Sequence, residues 1–393
     1  MKKQLLVVLG LAVLSTPAFA TKARLQALGE DIYGSFYIND NRNVWLNSAQ
    51  VINHKDLVTF EWGGNSAFDT TGTPKAEGGI YKAAGNLVYG AHLGAASNTA
   101  NGFRAASGLT SAGEENNLDF FVAGDTGLKW GANIGYAKTE KDETGTVDTE
   151  ATSLRTRLGV IMGDTQVFGT INIINEAEGP TAGGRAEFEG NLGFQVGVIQ
   201  AWDGNSIFGE YRRLEGESEI NGTGGNQDQE LQVIQGGIGR VTVLNDKVNL
   251  FTRASFFKID GTNDLSSAVG APGDFSTTNP LACGRLNPFA CREYNAMFVP
   301  VVIGLEAEAN EWLTIRGSIT QVVWGTEEDA DNERGIRNST SVNAGATLKF
   351  GELSVDGVIG NSTAAGVGSD TAAGGGTLTT DVLLTRVGVN YRF

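Results

Sequence analysis

The sequence predicts an all-β fold: a transmembrane antiparallel β-barrel of about sixteen strands (range 14–18), with short periplasmic turns and long extracellular loops. Three observations carry this reading. Segments of about 8–16 residues alternate in polarity, their connections alternate between tight turns and long polar loops, and the final strand stays two-faced to its last residue. A wall that spans lipid must satisfy every backbone group internally, so a strand-built wall must be closed.

Along the chain, Lys2 and Lys3 precede an apolar run from Leu5 to Leu14, followed by Thr16-Pro17-Ala18-Phe19-Ala20. A charged start, a short apolar stretch and an Ala-x-Ala site predict a signal peptide over residues 1–20, cleaved after Ala20. The run is too short for a membrane anchor, which needs roughly 20 apolar residues. Losing Lys2 and Lys3 takes the formal charge from −16 to −18. So acidic a chain repels phosphates, which excludes nucleic acid as an expected partner. Hydrophobic residues are only 40% of the chain and glycine supplies 55 of 393 residues. A soluble domain of this length would bury a larger core or split in two, and no linker marks a split.

Residues 21–55 precede the strand rhythm and are expected to form a periplasmic or lumen-plug segment. The barrel is expected over 56–393. Its tight connections fall at Ala84-Gly85-Asn86, Gly124–Gly127, Met162-Gly163-Asp164, Ala201–Gly204, Leu244-Asn245-Asp246, Ala309-Asn310-Glu311 and Phe350-Gly351. Gly, Asn and Asp dominate there because tight hairpins need positive φ. Longer connections are expected near 64–76, 96–113, 140–149, 178–184, 216–228, 261–291, 325–337 and 362–377. Seven tight turns and eight long connections make sixteen strands, with both ends on the short-turn side.

The faces agree. Strand 6 sets Leu154, Thr156, Leu158 and Val160 against Arg155, Arg157 and Gly159. Strand 8 sets Phe188, Leu192, Phe194, Val196 and Val198 against Glu187, Glu189, Asn191 and Gln195. Strand 14 places Val342, Ala344, Ala346, Leu348 and Phe350 opposite Asn343, Gly345, Thr347 and Lys349. Cys283 and Cys291, the chain's two cysteines, fall in the longest connection of an exported chain, so a local disulfide is expected. No histidine lies near enough to complete a zinc shell with them.

The last strand, with Tyr391 and the terminal Phe393, resembles the assembly signal of bacterial outer-membrane barrels. Together with the signal peptide and the strand rhythm, it makes the chain similar to outer-membrane porins, most like the acidic, glycine-rich porins of predatory bacteria. That resemblance implies the outer membrane of a Gram-negative bacterium and a water-filled diffusion channel for small hydrophilic solutes and ions. It also implies outer-membrane lipid, lipopolysaccharide and the barrel-assembly machinery as partners, a homotrimer, and no cofactor. The constriction motif Pro-Glu-Phe-Gly-Gly of enterobacterial porins is absent, so no constricting loop is carried over. A second resemblance competes. Asn47-Ser48-Ala49, within Asp40 to Gln50, resembles the Asn-Pro-Ala stretch of long-chain fatty-acid transporters, with Ser48 in place of proline. It implies a plugged transporter of hydrophobic compounds, with residues 21–55 as the plug.

The expectation for catalysis is negative. Two histidines, His54 and His92, are present, and there is no Gly-x-Ser-x-Gly elbow. Gly236-Gly237-Ile238-Gly239 lacks dinucleotide spacing, and Glu306 with Glu308 reads as lumen lining. No metal is expected; the weak candidate is a hard cation on Asp329, Asp331 and Glu333 in the acidic loop. The pore-lining candidates are Arg155, Arg157, Arg212, Arg253, Arg316 and Arg386 with Asp119, Glu210 and Asp356. All are expected four to eight residues up from the short turns. Six bases against three acids predict a positive belt at mid-height.

Overall fold

The computed structural model describes residues 21–63, 76–107, 109, 112–141, 148–181, 184–221, 225–265, 293–329, 333–336, 340–361 and 386–393. Eighteen strand segments form one sheet, and two pairs of them are single strands interrupted in the middle, so the wall has sixteen strands. They are β1 (Leu57–Gly63), β2 (Glu77–Ala84), β3 (Leu87–Leu93), β4 (Leu118–Asp125), β5 (Lys129–Lys141), β6 (Thr149–Met162) and β7 (Thr165–Thr181). Strand β8 is Gly184–Gly190 with Gly193–Trp202, followed by β9 (Asn205–Asn221), β10 (Gly225–Asn245), β11 (Val248–Leu265) and β12 (Glu293–Asn310). The ring is completed by β13 (Leu313–Asp329), β14 (Glu333–Gly335 with Ser341–Phe350), β15 (Leu353–Asn361) and β16 (Arg386–Arg392).

Every neighbouring pair is antiparallel, and β1 closes the ring on β16 from Leu57↔Arg392 to Gly63↔Arg386. The Phe393 N–H donates to the Asp56 carbonyl at 3.1 Å, so the closing seam is bonded to its last residue. This is why the chain keeps two faces where most termini fray. At the short turns Gly163 and Gly351 hold φ of 58° and 62°, open to glycine without strain. Asn245 and Asn310 instead accept the N–H two residues on, from Lys247 and Trp312.

The surface is inverted relative to a protein folded in water. Ile134, Leu158, Ile238, Ile303 and Ile319 point outward and are exposed, whereas Asn133, Arg155, Glu210, Glu306 and Arg316 point inward and are buried. An apolar belt outside and a polar interior are stable in a bilayer and costly in water. The chain is therefore a transmembrane β-barrel. Among the described residues no helix is long and apolar enough to cross a membrane.

Two expectations need correction. Strands β7 and β9 run 17 residues and β10 runs 21, far beyond the 9–11 that crosses a bilayer. The connections expected over 178–184, 216–228 and 325–337 are therefore largely strand among the described residues: mostly polar, they carry no alternating hydrophobic signal, but a neighbouring edge extends the ladder. Strand β8 also does not keep one parity. Between β8 and β9, Gly190 pairs with Gly216 and Phe194 with Arg213, so β8 carries an extra residue. Such a bulge reverses the faces. Phe188 accordingly points in and is buried, while Leu192, Phe194, Val196 and Val198 point out.

Candidate functional site

The lumen is occupied. Residues 21–55 turn back from β1 into the barrel as helix α1 (Lys22–Ala27) and two 3-10 turns, Asn41–Trp45 and Ser48–His54. Helix α1 packs against β13 to β16 and the second 3-10 turn against β3 to β6, so the segment reaches from one side of the wall to the other. Each element has a local cause. Thr21 caps α1 by accepting from the Arg24 N–H, Asp40 caps the first turn through Arg42, and Asn47 caps the second through Ala49. The stretch singled out in the sequence, Asp40 to Gln50, is thus a pair of capped turns.

Inward glycines make room for this segment. A Cβ at Gly131 would overlap the Ser48 carbonyl, one at Gly159 the Asn47 amide, and one at Gly388 the Thr21 side chain. Wall and segment also share charges. Arg24 donates to Glu306 (2.9 Å) and Asp40 (3.0 Å), and Arg42 to Glu61 (3.2 Å) and Glu77 (2.5 Å). Asn41 bonds Asn390 at 3.0 Å, and Arg386 bonds Gln26 at 2.7 Å. Burial pushes the Asp40 carboxyl up to about 6 despite Arg24 beside it, and burial with Arg392 nearby pushes His54 down to about 4.

A second segment enters from the long-loop rim. The connection between β3 and β4 carries α2 (Asn98–Ala106) and lies against the inner wall. Phe103 and Leu109 pack with Phe188, Leu214 and Leu231. Arg104 donates to the Thr152 carbonyl (2.9 Å) and Ser153 (2.6 Å), and Glu114 takes Arg155 at 2.8 and 2.9 Å. Burial raises Glu114, but Arg155 and Arg104 outweigh it and hold the carboxyl down to about 2.

Between the two segments is a chamber of about 520 Å³, within the usual range for small-molecule sites. Its floor is Asp31–Gly34, Phe36, Trp45 and Leu46, its roof Ala95–Ser97, and its wall includes Arg155, Arg157, Arg212, Arg253, Glu210, Gln195 and Phe257. Four of the six predicted arginines meet here. Arg316 and Arg386 lie instead against α1.

The expected positive belt is not what the structure shows. Arg155 pairs with Glu114, Arg157 with Asp119 (3.1 Å), Arg212 with Glu210 (3.1 Å) and Arg253 with Glu30 (3.2 Å). Arg316 pairs with Glu306 and with Asp356 (3.2 Å). Glu30, Glu114 and Glu306 balance the count that strand parity left at six against three. Glu30 and Glu114 belong to inserted segments, so no strand periodicity could place them. Trp45 has the guanidiniums of Arg42 and Arg157 over its ring at 5.3 and 5.1 Å and sits edge-on to His92 at 4.9 Å. Tyr391 and Phe393 are both about half exposed and stack on the outside of the seam, with Lys82 4.5 Å over Phe393. Cys283, Cys291 and Asp331 lie outside the described residues, and no metal-ligand cluster occurs among the described ones.

No family model and no curated protein matches this sequence. Solved structures do. CdiB from Acinetobacter baumannii aligns over 85% of this chain at 14% identity and a TM-score of 0.41, and the chain spans 59% of that protein's length. The CymD monoaromatic hydrocarbon channel aligns over 96% of this chain and 98% of its own, at 9% identity and 0.39. A FadL homologue of Pseudomonas aeruginosa aligns over 95% and 98%, at 11% and 0.40. At such values these likenesses carry no weight for function.

Proposed function

We propose that this chain is an outer-membrane channel closed at rest by its own residues 21–55, a plugged transporter rather than an open porin. One observation carries the reading: the segment fills the lumen, and its cations Arg24 and Arg42 pair with wall carboxylates in a buried interface. A water-filled pore would leave Glu61, Glu77 and Glu306 to solvent. Instead they are desolvated partners, and breaking such a pair costs about 3–5 kcal/mol. The apolar belt and the aromatic seam of Tyr391 and Phe393 suit an outer-membrane lipid environment. The chamber, polar and aromatic by turns, lies on the path that a solute takes between the two inserted segments.

Planar-bilayer recording tests this. The full chain is expected to give no steady ohmic steps, and a chain lacking residues 21–55 stepwise openings. Because that deletion takes the cations from Glu61 and Glu77 while Glu306 keeps Arg316, the same deletion carrying Glu61→Gln and Glu77→Gln serves beside it and is expected to open likewise. Ohmic conductance of the unaltered chain at its full single-channel level would overturn the proposal.

A further inference from the structure

The chamber's four arginines are each paired with a carboxylate, and Asp31 adds a fifth acid, yet its hydrogen bonding is not balanced. Each guanidinium carries five N–H donors and no acceptor. Glu210 and Glu114, the carboxylates facing Arg212 and Arg155, are already engaged on both oxygens. Glu210 accepts from Arg212 on one oxygen and from Gln195 (2.7 Å) on the other. Glu114 takes Arg155 together with the Ser97 and Asn117 N–H groups. The arginines keep donors to spare: the Nε–H groups of Arg155 and Arg212 are buried and have no hydrogen-bond partner among the described residues. Arg212 is the accessible one, with its side chain 30% exposed against 4–12% for Arg155, Arg157 and Arg253. A buried donor without an acceptor is costly, and a group with acceptors only removes that cost from several donors at once.

We infer that the chamber is a binding station for small organic solutes carrying an oxyanion, a carboxylate or a phosphate, with Arg212 as the group that receives it. Phe257 and Leu214, both lining the same space, offer apolar surface for the body of the solute. Because Glu210 and its counterparts, with Asp31, offset the charge of the arginines, attraction is short-range and binding modest. A transport site needs that: tight enough to fill, weak enough to empty. The inference rests on the plugged-channel reading only in placing the chamber on the solute's route.

The test is calorimetric titration of the full chain in detergent with benzoate, phenyl phosphate and neutral benzyl alcohol, three probes of similar body. One of the anions is expected to bind at least about tenfold tighter than the alcohol, from one charge-assisted hydrogen-bond set. Which anion wins tells carboxylate from phosphate. Arg212→Gln should weaken that anion by about tenfold and leave the alcohol unchanged, while Glu210→Gln should tighten it severalfold. Equal binding of alcohol and anions, or anion binding indifferent to both variants, overturns the inference. So does the absence of all binding to a chain that stays folded by circular dichroism. None of these results touches the bilayer recordings, whose own failure would strike the plug and not the ligand class.

Discussion

Glu114 illustrates how one side chain sets the state of a whole segment. It anchors the α2 connection to β6 through Arg155, and its carboxyl is held down to about 2 against an ordinary value of 4.5. A group whose folded pKa is depressed contributes stability that is full above its unfolded value and lost as pH falls through the folded one. The window here runs from about 4.5 down to about 2, and the shift corresponds to roughly 3 kcal/mol. Hydrogen exchange over residues 94–107 should therefore be faster in Glu114→Gln than in the parent chain at pH 7, with the two converging near pH 2. A constant ratio at both pH values would mean that charge is not what pins the segment. Glu114 could not be found from strand parity, because it lies off the strands. Arg155, on β6, could be.

At the level of elements, the sixteen-strand rhythm, the closing seam and the short turns were legible, because two-residue alternation and Gly/Asn/Asp turn chemistry act locally. What escaped were features without a local signal. The polar ends of β9 and β10 read as loop, since Ile220 alone in them is apolar and sets no alternation, yet they pair from Glu217↔Asp228 to Ile220↔Gly225. The bulge in β8 was hidden because alternation continues on both sides of it and only its phase changes. Pro300 in β12 is a similar case: lacking an N–H, it coincides with a slip from Val299↔Trp324 to Pro300↔Val322. The extended hairpins carry a prediction. Protease added to intact cells should spare both the paired ends of β9 and β10 and the turns at Asn245 and Asn310. Cutting at those two asparagines would place the short turns outside the cell and reverse the orientation.

At the scale of the molecule, the inserted segment is visible in the sequence as about 35 residues without strand rhythm, but strand rhythm alone leaves its destination open between periplasm and lumen. The clue was present in another form. Inward glycines on β5, β6 and β16 stand where Ser48, Asn47 and Thr21 of the segment press against the wall. They are spread over separate strands, and only the closed ring brings them together. That ring has a temporal side. Asn41 and Gln26, near the chain's beginning, are fastened to Asn390 and Arg386 on β16, and loops of such length close late because their entropy is spent first. Residues 21–55 thus find partners on a strand more than 300 residues away in sequence. A chain cut before Arg386 should leave residues 21–55 open to limited proteolysis that the full chain resists, and equal resistance of both would contradict this. Plug and seam are thus one fastening, and whatever loosens β16 releases both.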